Sequence, residues 1–346
     1  MKSTFVCKEN ILLENGETLF TPEITFHTYG KMNESKSNVV WVFHALTANS
    51  DAEDWWNGLI GEARPDDLVG REKLFNPKNY FIVCANILGS CYGSCGPLSK
   101  NPKTQKHYFL DFPMVTIRDM VKAHQQLKNH LGIEKIKFGA GGSMGGYQLM
   151  EWAIEEPNLF ENVLLLATSP KESAWGIAIH EAQRLALVAD HTFSDYNENA
   201  GKNGLKAARG IGMLTYRNYE LFRITQEDNE EKLKNYKASS YINYQGEKLM
   251  NRFHAHSYYY LTQAMDSHDV GRGRGGIKNA LSKIKSKTLI IGISSDILCP
   301  NEEQEFLHQH MPDSKLVIID SQYGHDGFLI ESERIAEETK SFFKLK

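Results

Sequence analysis

Short runs of apolar residues alternate with helical patterns through the first half of the chain. The runs at 38–44, 80–86, 136–139 and 163–167 each predict a buried strand, and a helix is predicted from about 144 to 155. Strands that are apolar on both faces and separated by helices are typical of a parallel sheet covered on both sides. The pattern therefore predicts an α/β fold with a mostly parallel central sheet.

The pattern changes after residue 170 and changes back near residue 280. Residues 172–279 are helical in pattern, polar and rich in Tyr, and contain no run that resembles a central strand. Strand patterns return at 288–293 and 315–319, and an amphipathic helix is predicted over 331–344. We therefore predict a core formed by residues 1–170 and 280–346, interrupted by a helical lid insertion at 171–279.

Composition and charge narrow the class of protein. Hydrophobic residues make up 41% of the chain and charged residues 24%, and the net charge of −4 gives no basic surface for nucleic acid. The N-terminus lacks the apolar segment of a secretory signal, and no apolar run approaches the roughly 18 residues that span a membrane. We expect a cytoplasmic protein whose five cysteines are free thiols, with no metal site.

One glycine-rich turn carries a nucleophile motif. Residues 141–145 fit G-x-S-x-G around Ser143, with a predicted strand before them and a helix after them. This is the setting of a nucleophile elbow, in which a tight turn lifts the serine hydroxyl above the sheet. An ordinary glycine-rich turn is the alternative. A dinucleotide-binding turn is excluded because Met144 occupies the position of the third glycine, and a P-loop is excluded because the Gly-Lys-Ser/Thr ending is missing.

A serine nucleophile needs a base, and the base needs a carboxylate to orient it. In the α/β-hydrolase fold these follow the serine in the order acid, then histidine, on loops after late strands. Asp296 follows the strand predicted at 288–293, and His325 follows the strand predicted at 315–319. Asp320 is a poorer acid because it ends the same strand that precedes His325. We predict a Ser143–His325–Asp296 triad.

An oxyanion hole is expected from two backbone N–H groups. The first is that of Met144, directly after the serine, and the second belongs to the loop after the first predicted strand. Within that loop, residues 44–48, we choose Leu46.

Several motifs together resemble the homoserine O-acetyltransferase family, and the similarity covers nearly the whole chain, including the lid. They are His44-Ala45-Leu46-Thr47, residues 86–93, Phe112-Pro113 with residues 116–119, Gly141 to Gly146 with Gln148 and Glu151-Trp152, residues 260–262 with Asp266 and 269–274, and Gly324-His325-Asp326. The resemblance implies acetyl transfer from acetyl-CoA to L-homoserine by a ping-pong mechanism, as part of methionine biosynthesis. It also implies a homodimer formed through the lid, with acetyl-CoA as co-substrate and no cofactor.

The family resemblance also implies two substrate-binding residues. Asp326 would bind the amino group of homoserine, and an arginine of the insertion, which we assign to Arg209 with Arg217 as second choice, would bind its carboxylate. A structural role for Asp326 as a helix cap is the alternative. The chain departs from the family pattern at Tyr147, at 252–257 and around 190–203, and these departures bear on acceptor and acyl specificity.

Other functions stay open from sequence alone. Succinyl transfer or a serine acceptor would keep the chemistry and change the reactants, whereas an esterase or thioesterase would use water as the acceptor. A non-catalytic binding protein of the same fold is a further alternative, which the ordered Ser, Asp and His argue against. The loop 271–276 could lie near CoA phosphates or be a plain flexible loop.

Overall fold

A computed structural model describes residues 1–63 and 72–345 of the chain. Its strands are β1 (Lys2–Val6), β2 (Ile11–Leu12), β3 (Thr18–Leu19), β4 (Glu23–Tyr29), β5 (Val39–Phe43), β6 (Phe81–Ala85), β7 (Ile136–Gly142), β8 (Phe160–Leu166), β9 (Lys287–Ile293) and β10 (Ser314–Ile319). Its helices are α1 (Ala52–Trp55), α2 (Ile117–His130), α3 (Met144–Glu155), α4 (Ala174–Val188), α5 (Lys202–Tyr216), α6 (Tyr219–Gln226), α7 (Lys237–Met250), α8 (Ala255–Asp266), α9 (Ile277–Leu281), α10 (Asn301–His310), α11 (Gly327–Ile330) and α12 (Ser332–Phe343).

Eight strands form one sheet in the order β1-β4-β6-β5-β7-β8-β9-β10. The six strands β5 to β10 run parallel to one another, whereas β4 pairs antiparallel with β6 and β1 pairs antiparallel with β4. The predicted α/β-hydrolase fold with a mostly parallel sheet is confirmed. The antiparallel strands at the N-terminal edge are an addition that the apolar runs did not indicate.

Strand β5 explains why the central strands are continuous apolar runs. Trp41 and Phe43 pack into a core on one face of the sheet, while Val40 and Val42 pack into a second core on the other face. All five residues of the strand are buried. Both faces are covered, so neither set of alternating positions can be polar.

The parallel strands bring distant segments of the chain to one edge of the sheet. The loop 44–48 follows β5, Ser143 follows β7, Asp296 lies beyond β9 and His325 lies beyond β10. Because these strands point the same way, their carboxyl ends meet, and ligands of open α/β sheets bind outside such ends. The fold therefore places the candidate catalytic residues at the same edge of the sheet.

Helices α4 to α9 occupy the stretch between β8 and β9. No described residue of this stretch belongs to the central sheet, and its one isolated bridge joins Lys171 to Asp269. Helix α5 packs against α4 and also against α7. The division into core and lid at residues 171 and 279 stays a prediction. None of the helices in the described part of the chain is long and apolar enough to cross a membrane.

Candidate active site

Ser143 occupies a strained turn between β7 and α3. Its φ of 54° and ψ of −129° lie outside the regions that non-glycine residues favour. The turn is possible because small residues surround it: a Cβ added to Gly141 would lie 2.5 Å from the carbonyl oxygen of Gly145, and one added to Gly145 would lie 2.2 Å from that of Phe43. The hydroxyl of Thr168 donates to the Ser143 carbonyl at 2.9 Å and braces the turn. This is the geometry of a nucleophile elbow.

His325 and Asp296 lie side by side at the ends of their strands. Nδ1 of His325 is 2.7 Å from Oδ2 of Asp296, and both side chains are buried. The other oxygen of Asp296 accepts from the N–H groups of Leu298 and Cys299 at 2.8 and 2.9 Å, which fixes the carboxylate plane. Asp320, the rival acid, instead accepts from Ser294 at 3.0 Å.

The opposite nitrogen of His325 is available for proton transfer. Nε2 is buried and has no hydrogen-bond partner among the described residues. Burial by itself lowers the pKa of His325, but the charge and hydrogen bond of Asp296, with the charges of Asp326 and Glu172, raise it above its ordinary value. A base of raised pKa whose Nδ1 hydrogen is held by a carboxylate can accept a serine proton at Nε2.

Asp296, Cys299 and His325 also offer ligand atoms within 4.8 Å of one another. Both oxygens of Asp296 are already engaged by protein N–H groups, and burial raises the pKa of the Cys299 thiol well above its ordinary value, which disfavours a thiolate ligand. The cluster is therefore better suited to orienting an imidazole than to holding a metal ion.

The loop after β5 is held rigidly beside the elbow. The His44 carbonyl accepts from the Gln148 side chain at 3.2 Å, and His44 Nε2 accepts from the Ile87 N–H at 3.2 Å. Burial lowers the pKa of His44 to about 4, so its ring is the neutral form that can accept there. The Leu46 and Met144 N–H groups donate to no carbonyl or side chain within residues 1–63 and 72–345, which leaves both free for an oxyanion. The bracing by His44 and Gln148 was not predicted from sequence.

A cavity of about 560 Å³ opens above these groups. It is lined on one side by the β5 loop, the elbow and the histidine loop, and on the other by residues of helices α4, α5, α7 and α8. Its lining is Ala45, Leu46, Thr47, Ala48, Asn49, Asp54, Trp55, Tyr92, Ser143, His180, Arg209, Tyr216, Lys248, Arg252, Met265, Leu298, His325, Asp326, Phe328 and Leu329. The predicted nucleophile and base therefore face one space together with Arg209 and Asp326.

Asp326 faces the cavity and forms an ion pair with the lid. Its Oδ2 lies 3.0 Å from Nε of Arg217, and its side chain makes no capping hydrogen bond to the helix that follows. Burial raises the pKa of Asp326, while the charges of Arg217, His325 and Arg209 lower it, and the net direction is upward. The helix-cap alternative is not supported by this geometry.

Arg209 differs from Arg217 in its partners. Its guanidinium lies over the ring of Tyr216 at 5.2 Å, and it forms no ion pair with any residue the structure describes. The charge of Arg209 therefore remains available to a ligand in the cavity. Tyr216, whose ring centroid is 6.1 Å from that of His325, was missed at the sequence level because a lid tyrosine has no distinguishing motif.

The loop 271–276 lies away from this cavity. Arg272 pairs with Glu14 at 2.8 Å, and Arg274 pairs with Glu151 at 2.5 Å and with Glu155 at 3.2 Å. Neither arginine lines the cavity. The loop's positive charges are engaged in tying the end of the lid to the core, which does not support the phosphate-binding interpretation.

Comparisons with known proteins agree with this geometry. Residues 38–332 match the family model of the α/β hydrolase fold. The chain is 48% identical over 339 residues to a homoserine O-acetyltransferase of Cyclobacterium marinum, covering 98% of this chain and 94% of that protein. It is 43% identical to one of Chlorobium luteolum, covering 96% and 91%.

Solved structures give two kinds of neighbour. The homoserine O-acetyltransferase of Bacillus anthracis superposes with a TM-score of 0.85 at 25% identity, covering 97% of this chain and 96% of that one. Esterase E22 superposes with a TM-score of 0.87 at 24% identity, covering 99% of both chains, and at that identity the likeness shows the fold alone.

Proposed function

The chain belongs to the homoserine O-acetyltransferase family of α/β-hydrolase-fold enzymes, and on that premise we propose that it transfers an acetyl group from acetyl-CoA to the hydroxyl of L-homoserine. One observation carries the proposal. Ser143 and His325 share a cavity with an arginine that has no ion-pair partner in the described residues and with an aspartate beside the base. An esterase needs only the first two groups, whereas an amino-acid acceptor also needs partners for its carboxylate and its ammonium group.

The first half-reaction forms an acyl-enzyme. Ser143 Oγ attacks the thioester carbonyl of acetyl-CoA while Nε2 of His325 takes the hydroxyl proton. Asp296 holds the proton on Nδ1 and stabilises the imidazolium that forms. The C–S bond then breaks, the proton passes from Nε2 to the leaving sulfur, and the acetyl group remains on Ser143 as an ester.

The second half-reaction transfers the acetyl group to the acceptor. The homoserine hydroxyl gives its proton to His325 and attacks the ester carbonyl, after which the proton returns to the leaving Ser143 oxygen. In both halves the carbonyl oxygen becomes negative, and the Leu46 and Met144 N–H groups are assigned to stabilise it. Every proton removed is returned, so the cycle requires no cofactor and no metal beyond the acetyl-CoA co-substrate.

The acceptor is oriented by opposite charges. In the proposed complex the Arg209 guanidinium binds the homoserine carboxylate, for which its planar donors are well matched. Asp326 binds the ammonium group and gives up part of its pairing with Arg217 to do so. This arrangement holds the acceptor hydroxyl toward His325 and the ester.

Alternative reactants are separated by one experiment. Purified protein is incubated with acetyl-CoA or succinyl-CoA, each with L-homoserine, L-serine or no acceptor, and the products are measured by mass spectrometry. The proposal predicts O-acetylhomoserine as the main product. Preferred succinyl or serine products would change the reactants only, and free acetate formed equally fast with or without acceptor would overturn acyl transfer in favour of hydrolysis.

The family resemblance further suggests a homodimer and a place in methionine biosynthesis. The lid helices expose large apolar side chains that a second copy could cover, namely Trp175, Leu185, Val188, Leu214 and Tyr219. Sedimentation at micromolar protein concentration tests the assembly, and a monomer there would contradict it.

A further inference from the structure

His180, which lines the cavity, belongs to a second histidine–carboxylate pair. Nδ1 of His180, on α4, lies 2.7 Å from Oδ1 of Asp266 at the end of α8. The distance is the same as that between His325 and Asp296, and the His180 side chain is only 4% exposed. The proposed mechanism does not use this pair.

The carboxylate of this pair is itself held in place. Oδ2 of Asp266 lies 2.6 Å from Nη2 of Arg184, one turn along α4 from His180, and that arginine also contacts Glu181 at 2.7 Å. A carboxylate fixed on both oxygens fixes the ring that donates to it. The orientation of His180 is therefore determined by the packing of α4 against α8.

The locked orientation leaves one polar atom of His180 for the cavity. Nδ1 is committed to Asp266, and no hydrogen bond joins Nε2 to any residue the structure describes, although the ring lines the cavity. In a neutral ring that donates from Nδ1, Nε2 is a hydrogen-bond acceptor. Its partner must then be an O–H or N–H group of something that enters the cavity.

The position of His180 points to the acceptor amino acid. Helix α4 packs along α5, which carries Arg209, and Ile179 packs in one cluster with Tyr216, the ring beneath that arginine. His180 therefore projects from α4, the helix beside α5, which carries the arginine assigned to the acceptor carboxylate. An acceptor carries O–H and N–H donors, whereas an acetyl group carries none.

We propose that His180, oriented by Asp266, accepts a hydrogen bond at Nε2 from the acceptor amino acid and so favours it over water in the second half-reaction. The inference rests on the proposed acyl transfer and adds a specificity-determining residue to it. It predicts that the lid side of the cavity recognises the acceptor by a third polar contact, besides Arg209 and Asp326.

Two amide variants separate this role from a structural one. The Asn amide reaches the position of Nδ1 and the Gln amide reaches that of Nε2, so His180→Asn keeps the contact to Asp266 and loses the cavity contact, while His180→Gln does the reverse. We measure the burst of CoA release without acceptor, kcat/KM for homoserine, and the fraction of acyl-enzyme lost to hydrolysis. His191→Asn serves as the control, because His191 is a lid histidine whose side chain is 89% exposed.

The expected result is a selective defect. His180→Asn should lower kcat/KM for homoserine by about tenfold and raise the hydrolysed fraction with an unchanged burst. His180→Gln keeps an acceptor in the cavity but loses the contact that orients it, so its kcat/KM should fall between those of wild type and His180→Asn. The inference is overturned if His180→Asn matches wild type while His180→Gln is impaired, or if burst and acceptor kinetics fall together. If His180→Asn does not fold, His180→Phe replaces it under the same criteria. Absence of the burst and of acylated homoserine in wild type would instead refute the proposed function itself.

Discussion

Nε of Arg217 lies 3.0 Å from Oδ2 of Asp326, so a lid residue is ion-paired to the carboxylate beside the proposed base. Asp326 follows His325 directly, while Arg217 follows the last residue of α5. The contact links the end of α5 to the electrostatics of the proposed base, His325. It also distinguishes the two arginines considered for the acceptor carboxylate: Arg217 is already ion-paired, whereas the charge of Arg209 remains available to a ligand.

Removing either acceptor-binding charge should weaken the second half-reaction. Losing one member of a desolvated charge pair costs roughly 2–5 kcal/mol, so Asp326→Asn and Arg209→Ala should raise the acceptor requirement by about tenfold or more. Steady-state kinetics with varied homoserine checks this, with the acceptor-free burst of CoA as the internal control. If Arg209→Ala leaves acceptor dependence unchanged while Arg217→Ala raises it, the carboxylate assignment moves to Arg217.

Replacing Asp296, the proposed acid, should lower kcat far more than replacing its rival Asp320. Asp296→Asn removes the carboxylate that receives the Nδ1 hydrogen, and such changes lower kcat by about 10⁴-fold in a serine triad. Asp320→Asn, the matched control, changes only a contact to Ser294 and should leave kcat within about threefold of wild type. Equal losses in the two variants would contradict the assignment of the acid.

The pH profile should report the charges around His325. Acylation needs the neutral ring, and the pKa of His325 is raised, so the rate should fall as pH drops through that raised pKa and be flat above it. Asp326→Asn removes one of the charges that raise this pKa, which should move the acid limb to lower pH. The burst rate measured between pH 5 and 9 in both proteins tests this. An acid limb that stays in place or moves to higher pH would contradict the proposed coupling.

The sheet and the candidate triad residues could be predicted from the sequence because both depend on local patterns. Buried runs such as 39–43 mark the strands, and the order of Ser143, Asp296 and His325 relative to those strands indicates that they converge. Strands β1 and β4 lie at the edge of the sheet, where antiparallel pairing follows from tertiary contacts and no continuous apolar run is required.

The lid contacts could not be predicted in the same way. The pairing of Arg217 with Asp326 depends on how α5 meets the histidine loop, and the position of His180 depends on how α4 packs against α8. These contacts join residues separated by about a hundred positions, and a polar helical pattern does not specify which residues turn toward the core. The resemblance to a family suggested Arg209 and Asp326, but only the fold brings Tyr216 and His180 to the same cavity.

The most direct test of the account is the intact mass of the protein after brief exposure to acetyl-CoA without an acceptor, followed by peptide mapping. A covalent mechanism predicts a mass increase of one acetyl group on Ser143, which disappears when homoserine is added and O-acetylhomoserine forms. Ser143→Ala should show no adduct and lose transfer by several orders of magnitude, while Ser282→Ala, which changes an exposed serine far along the chain, should behave as wild type. Full transfer activity in Ser143→Ala would contradict the central claim. So would a wild-type protein that traps no acetyl-serine and whose initial rates, plotted against acetyl-CoA at several homoserine concentrations, give intersecting lines.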